Sequence, residues 1–89
     1  MKCYIVIFET VSEESRKRIK DSLVSYKIYC PINKSCWAIK TNETAVQVRD
    51  KLMGLSDKSD RIFVIRSGTE AAWVNSFGDK HDKWLKDNL

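Results

Sequence analysis

The chain contains little proline, glycine or cysteine, and its apolar runs are short. Its 89 residues include one Pro and three Gly, which argues against a linker or a disordered composition. No apolar run approaches the roughly 20 residues that a transmembrane helix needs. The N-terminus MKCYIVIFET places a glutamate directly after a short apolar stretch and lacks a small-residue cleavage site. We therefore expect one small cytoplasmic domain that does not contact a membrane.

The three cysteines and the single histidine form no recognisable catalytic motif. Cys3, Cys30 and Cys36 are an odd set without a CxxC pair, so neither a zinc site nor a secreted disulfide framework is indicated. Cys30 and Cys36 could face each other across a hairpin, but three reduced thiols are favoured in a chain without an export signal. His81 is the only histidine, and we interpret it as a surface residue near a helix start. No glycine-rich phosphate loop is present, and no small-molecule cofactor is indicated.

Positive charge exceeds negative charge in this chain. Sixteen Lys and Arg against twelve Asp and Glu give a net charge of +4, which permits contact with a polyanion. The first predicted helix carries four basic residues that are candidates for nucleic-acid binding: Arg16, Lys17, Arg18 and Lys20. Such residues supply the sequence-independent part of nucleic-acid affinity. The alternative is an ordinary solvated helix face, balanced by Glu13, Glu14 and Asp21.

The first half of the chain predicts a strand, a helix and a hairpin. Residues 4–8 are an unbroken β-branched and aromatic run, too short for a helix, and Glu9 closes it. Ser12 precedes two glutamates and is typical of a helix N-cap, so a helix is expected from there to about residue 25. Residues 26–32 alternate in polarity and contain the proline, which predicts an edge strand. Turn residues then lead into a strand over residues 36–41.

The second half predicts a further helix and strand. Thr41 or Asn42 is expected to cap a helix with one apolar face, formed by Ala45, Val48, Leu52 and Leu55. Residues 61–66 are apolar on both parities and bounded by charges, which predicts a fourth strand. The order β-α-β-β-α-β is that of a ferredoxin-like sandwich with two helices on one face of a four-stranded antiparallel sheet. We expect this α+β core over residues 1–67 and a C-terminal extension over residues 68–89.

The first and fourth strands are apolar on both faces, whereas two helices can cover only one face. A bare apolar face of that size is unusual on a monomer. The C-terminal segment or another copy of the chain could cover it, and we favour a homodimer through the open sheet face.

The aromatic residues allow two interpretations. Tyr29 and Trp37 lie on neighbouring predicted strands and could stack on bases, but packing in the core or in a dimer is favoured. In the tail, Asp79 is expected to cap a short helix, and we expect Trp73 and Trp84 to pack against the sheet or a partner subunit.

Several segments resemble a known group of proteins. They are residues 5–9, 36–41, 49–52, 60–65, 71–73 and 84–85. The chain resembles small proteins labelled "SinR family", although nothing in it indicates a helix-turn-helix regulator. Those proteins are similar to the ferredoxin-like CRISPR-associated endoribonuclease superfamily, which includes a subunit of the spacer-integration complex, and to toxin endoribonucleases of the same fold. The resemblance extends over nearly the whole chain.

The resemblance implies a homodimer packed sheet to sheet, with a segment after the fourth strand adding to the partner's sheet. It also implies an acidic residue at the end of the first strand, paired across the dimer and binding a divalent ion for phosphodiester cleavage. The matching position is Glu9, where Asp is usual in the family. A carboxylate doubled by symmetry suits Mg²⁺ or Mn²⁺. Alternatively, Glu9 is a solvated charge that ends the strand.

These observations lead to two functional expectations. The first is a nucleic-acid-associated dimer with metal-dependent endoribonuclease activity at Glu9. The alternative is a non-catalytic interaction protein, such as an antitoxin or an assembly adaptor, that binds another protein by strand addition.

Overall fold

A four-stranded antiparallel sheet with strand order β2-β3-β1-β4 organises the chain. The computed structural model describes residues 1–68 and 70–89, and its elements follow in the order β1 (Lys2–Glu9), α1 (Glu13–Val24), β2 (Tyr29–Asn33), β3 (Cys36–Thr41), α2 (Ala45–Met53), β4 (Arg61–Arg66) and α3 (Asp79–Asn88). This α+β arrangement confirms the predicted ferredoxin-like sandwich. None of the described helices combines the length and apolarity needed to cross a bilayer.

The main core lies between the sheet and the first two helices. Alternation along β1 turns Tyr4, Val6 and Phe8 toward α1 and α2, and all three are buried. The helices contribute buried side chains to the same cluster, namely Ile19, Leu23, Val48 and Leu52. Burying an aliphatic side chain of this size contributes about 1.5–3 kcal/mol. The apolar spacing seen in the sequence therefore corresponds to the faces that the helices bury.

The start of α1 is tied to the loop that precedes β4. Ser12 caps the helix as predicted, because its Oγ accepts a hydrogen bond from the Ser15 N–H at 3.1 Å. The same hydroxyl donates to Asp57 Oδ2 at 3.0 Å, and the Val11 N–H donates to Asp60 Oδ1 at 2.8 Å. Burial opposes ionisation of Asp60, but hydrogen bonds from the N–H groups of Val11 and Asp57, together with Ser15 and Arg18, hold the pKa of Asp60 below its usual value.

The cap of α2 differs from the predicted one. Thr44, not Thr41 or Asn42, is the N-cap, and it forms a capping box with Gln47. The Gln47 N–H donates to Thr44 Oγ1 at 3.2 Å, and the Thr44 N–H donates to Gln47 Oε1 at 2.8 Å. Thr41 instead ends β3 and accepts from the Glu43 N–H. The prediction was wrong because two polar residues placed before the true cap have the same propensity for that position.

The turn between α1 and β2 makes β2 begin later than predicted. Lys27 adopts a left-handed conformation with φ of 71°, and its N–H donates to the Val24 carbonyl at 3.1 Å. Tyr26 therefore does not join the strand. Tyr26 packs against the main core, and its hydroxyl donates a hydrogen bond to Glu43 Oε1 at 2.6 Å. The strand itself begins at Tyr29.

The strand register separates the two cysteines of the hairpin. Cys30 lies opposite Ala38, whereas Cys36 lies opposite Asn33. All three cysteines of the chain are free, so the structure supports the reduced alternative. Burial raises the pKa of the Cys3 and Cys30 thiols.

The third helix covers part of the second sheet face. Leu85 of α3 is buried in a cluster with Cys3, Cys30 and Ala38. Trp73, in the segment before α3, donates its indole N–H to Asp82 Oδ1 at 2.9 Å and so holds that segment to the helix. The N-cap is Gly78, with φ of 146°, and not Asp79 as predicted. The C-terminal segment therefore lies against the sheet, as expected, but it leaves part of this face exposed.

Candidate functional site

The candidate catalytic carboxylate lies at the end of β1 and is ion-paired. Glu9 is directly opposite Arg61 on β4, and Arg61 Nη1 lies 2.9 Å from Glu9 Oε1. The Glu9 side chain is 72% exposed and the Arg61 side chain is 83% exposed. The pair therefore contributes only about 0–1 kcal/mol to stability. Arg61 partly neutralises the charge that a divalent cation would use.

One chain offers too few ligands for a metal centre at this position. Within residues 1–68 and 70–89, no group of three or more His, Cys, Asp or Glu side chains is arranged to hold a metal ion. Mg²⁺ binds through one or two carboxylates together with water and substrate oxygens. Glu9 therefore fits such an ion only where a second carboxylate or a phosphate oxygen is added from outside the chain.

An exposed apolar patch adjoins Glu9 on the face that α3 leaves open. Ile7 and Phe63 are cross-strand neighbours, and they are 44% and 58% exposed. Ile65, two residues beyond Phe63 on the same face of β4, is 49% exposed. We call Ile7, Phe63 and Ile65 the open-face patch. Three large, exposed apolar side chains at neighbouring positions on one sheet face are typical of an association surface.

The four basic residues of α1 divide into two groups. Arg16, Lys17 and Lys20 line one surface groove, together with Glu13 and Asp21. Within that group Lys17 pairs with Asp21 at 3.7 Å, and Arg16 donates to the Lys34 carbonyl. The group keeps a cationic character, but its charge is diluted by the two acids.

Arg18 faces a different part of the molecule. Its Nε donates to the Leu55 carbonyl at 2.8 Å, and its Nη2 lies 3.3 Å from Asp57 Oδ1. This side chain connects α1 to the loop that follows α2. The structure therefore separates Arg18 from the other three predicted nucleic-acid-binding residues.

The rings of Tyr29, Trp37 and His81 pack against neighbouring aromatic side chains. Tyr29 and Trp37 stack on each other with ring centroids 5.3 Å apart, and Trp37 is buried. Packing, the favoured interpretation, therefore holds for Trp37. His81 is half-buried and meets the Phe77 ring edge to face at 5.8 Å.

Sequence reasoning missed Arg61 as the partner of Glu9. In a ferredoxin-like sheet the first and fourth strands are antiparallel neighbours, so the last residue of one lies near the first residue of the other. The arginine that begins the fourth strand was the available signal.

Comparisons with known proteins support the fold. No protein-family model matches the chain, and no curated protein matches it significantly. A crystal structure titled as a hypothetical protein, TT1823 from Thermus thermophilus, superposes with a TM-score of 0.69. The superposition covers 83% of this chain and 90% of that chain at 16% sequence identity. At this identity the likeness shows a shared fold.

Proposed function

We propose that the chain forms a homodimer through the open-face patch and acts on nucleic acid, with Glu9 of each subunit contributing to one metal-dependent phosphodiesterase site. The observation that carries this proposal is the position of the patch. Ile7 is two residues before Glu9 on the same strand face, and Phe63 is two residues after Arg61 on the neighbouring strand. Burial of the patch would bring the carboxylate to an interface.

Two-fold symmetry accounts for the sparse ligand set. In a symmetric dimer the same patch serves both subunits, and each residue near the axis occurs twice. One carboxylate per chain then becomes two per site. The resemblance to ferredoxin-like endoribonucleases, which implies a sheet-to-sheet dimer and an acid at this position, supports the same arrangement.

The proposed reaction is hydrolysis of a phosphodiester. Water adds across the P–O bond: its oxygen bonds to phosphorus, the ester oxygen leaves, and that oxygen takes up a proton. A divalent ion held by Glu9 of each subunit would supply Lewis-acid activation of water or stabilisation of the leaving oxygen. Arg61 can contact the substrate phosphate when it releases Glu9, and Arg16 and Lys20 can hold the flanking backbone.

A cleavage assay with matched variants tests this function. Labelled RNA and DNA are incubated with the protein in Mg²⁺ or Mn²⁺, beside Glu9→Gln and the control Glu14→Gln. Glu14 is an exposed glutamate at the start of α1. Loss of cleavage in Glu9→Gln alone is the expected result. Equal cleavage by all three proteins would remove Glu9 from the site, and no cleavage by the wild type would reject the enzyme.

A non-catalytic interaction protein is the second candidate, and the Glu9–Arg61 ion pair favours it. A carboxylate that already has a cationic partner 2.9 Å away is less available to a metal ion. In addition, β4 is an edge strand without proline, which suits the addition of a partner's strand. Gel-shift assays separate the two candidates, because nucleic-acid binding weakens steeply with salt, whereas a pure protein adaptor shows no shift at low salt.

A further inference from the structure

A groove of about 440 Å³ lies between α3 and the residues around the start of β2. This is the opposite edge of the sheet from β4 and Arg61. Its wall includes Lys27, Ile28, Pro31, Lys80, His81 and Trp84. The groove is separate from the open-face patch and from the α1 surface, and neither the resemblance nor the proposed site uses it.

The charge of the groove is positive. Lys27 and Lys80 line it, and no carboxylate is among its lining residues. Among the described residues, neither lysine takes part in an ion pair. Asp82 of α3 lines a different groove, beside Trp73 and Lys86. The α1 groove, by contrast, contains two acids among its five lining residues. The groove beside α3 is therefore the better match for an anion.

Trp84 gives the groove an aromatic wall. This side chain packs against the cluster that contains Leu85 and Cys30, so it is held in place, and its remaining surface lines the groove. A held indole next to lysines provides both a stacking surface and phosphate contacts. Those are the two components that recognise single-stranded nucleic acid without reading its sequence.

Lys27 occupies a backbone conformation that disfavours a side chain. Its φ of 71° lies in the left-handed region, where a residue other than glycine costs about 1–2 kcal/mol. Glycine or asparagine is the usual residue at this position after a helix. Lys27 therefore adopts an unfavourable backbone conformation at a position where it lines the groove, and such outliers cluster at ligand-binding sites.

A peptide strand suits this edge poorly. The Lys40 N–H donates to the Ile28 carbonyl at 2.9 Å, so the backbone polar groups of Ile28 face β3. Because these groups alternate in direction along a strand, those of Tyr29 and Pro31 face away from the sheet. Pro31 has no N–H to donate, and a proline on the outer side of an edge strand protects it from strand addition. The groove therefore favours a ligand that binds through charge and stacking.

We propose that this groove binds single-stranded nucleic acid, with one base against Trp84 and the flanking phosphates on Lys27 and Lys80. The inference rests on the proposed association with nucleic acid, but it assigns the strand to a surface other than α1. Binding there does not require Glu9 or the dimer.

Fluorescence anisotropy with a labelled pyrimidine strand of about 10 nucleotides, as RNA and as DNA, tests the groove. The variants are Lys27→Gly, Lys80→Gln and Trp84→Leu. Lys58→Gln, in the loop before β4, is the control with the same change in charge. Each groove variant is expected to weaken binding about tenfold, and each lysine variant is expected to lower the salt slope by about 0.7. Lys58→Gln should bind like the wild type.

Lys27→Gly keeps the result interpretable. Glycine accepts a positive φ without strain, so this variant should be at least as stable as the wild type in thermal unfolding. Weaker binding by a protein of unchanged or higher stability reports the lost charge and not a lost fold.

The outcomes separate the groove from the wider proposal. If the wild type binds the strand and all three groove variants bind it as tightly as the wild type, the groove is not the binding surface, while the proposed association with nucleic acid stands. Arg16→Gln is measured as well, and if it alone weakens binding, the strand binds the α1 surface and the groove assignment is wrong. If the wild type binds no strand at low salt, both proposals fail. Binding of a polyglutamate peptide in preference to the strand would overturn the groove assignment.

Discussion

Arg61 on β4 neutralises Glu9 on β1 across the sheet, with Nη1 and Oε1 2.9 Å apart. This contact places a positive charge, which disfavours cation binding, beside the one predicted catalytic residue. It is solvent-exposed, and two unit charges at this range in water interact by only about 1 kcal/mol. The ion pair therefore weakens the attraction of Glu9 for a cation but leaves the carboxylate accessible.

Removing Arg61 should strengthen metal binding. We expect Arg61→Gln to bind Mn²⁺ about fivefold more tightly than the wild type, because about 1 kcal/mol of competing attraction is lost. Isothermal titration calorimetry measures the change. Arg66→Gln, which removes the same charge at the other end of β4, is the control. Equal affinity in the two variants would show that Arg61 does not compete with the cation for Glu9.

Charge in the open-face patch should abolish the proposed dimer. Phe63→Glu places a carboxylate at the centre of the patch and is expected to give a particle of one chain mass in size-exclusion chromatography with light scattering. Val46→Glu is the matched control, because Val46 is a similarly exposed apolar residue on α2. A wild-type protein that is already a single chain at micromolar concentration would contradict the proposed interface.

The capping box of α2 should be measurable in stability. Thr44→Ala removes the hydroxyl that accepts from the Gln47 N–H and is expected to lower the free energy of unfolding by about 1 kcal/mol. Asn42→Ala, at an exposed position before the cap, should change it little. Urea denaturation of both variants decides the matter, and a larger loss in Asn42→Ala would assign the cap to the wrong residue.

The attachment of the Trp73 segment to α3 should weaken in acid. Hydrogen bonds from Trp73 and Ser76 hold the pKa of Asp82 below its usual value. The resulting stabilisation is present above the unfolded-state pKa and is lost as the pH falls through the lower, folded-state pKa. Tryptophan emission followed from about pH 6 to about pH 2 should show this loss in the wild type.

Asp82→Asn isolates that effect, since the amide oxygen still accepts from the indole but does not titrate. Its emission should change less in acid than that of the wild type, whereas Asp79→Asn on the same helix should behave like the wild type. Identical acid profiles for all three proteins would exclude Asp82 as the titrating group.

Leu85 should control access to two thiols. Leu85→Ala leaves a cavity where α3 meets Cys3 and Cys30 and is expected to cost about 2–5 kcal/mol. A thiol-reactive chromophore should then modify Cys3 and Cys30 faster than in the wild type, while Cys36, outside that cluster, reacts at its former rate. Unchanged rates at Cys3 and Cys30 would show that α3 does not protect them.

Much of the fold could be predicted from local patterns. The apolar run of residues 4–8 and the three- and four-residue spacing in α2 identify a strand and a helix because each places its apolar side chains on one buried face. The cap at Thr44 could not be predicted in the same way. Several polar residues precede α2, and only the backbone geometry selects one of them.

The candidate site was predictable only in part. Glu9 was identified through the resemblance, which implies an acid at the end of the first strand, whereas its partner Arg61 is 52 residues away in sequence. The sequence also did not predict that Arg18 faces a different part of the molecule from Arg16 and Lys20. It depends on where the loop containing Leu55 and Asp57 packs.

By itself, the sequence determined the elements, their order and the excess of apolar surface on β1 and β4, because these follow from periodicity and composition over short stretches. Only the tertiary structure decided which face α3 covers, which charge meets Glu9 and where Lys27 and Trp84 line a common groove. Those relationships join residues far apart along the chain, and they depend on strand register and helix packing that no local pattern specifies.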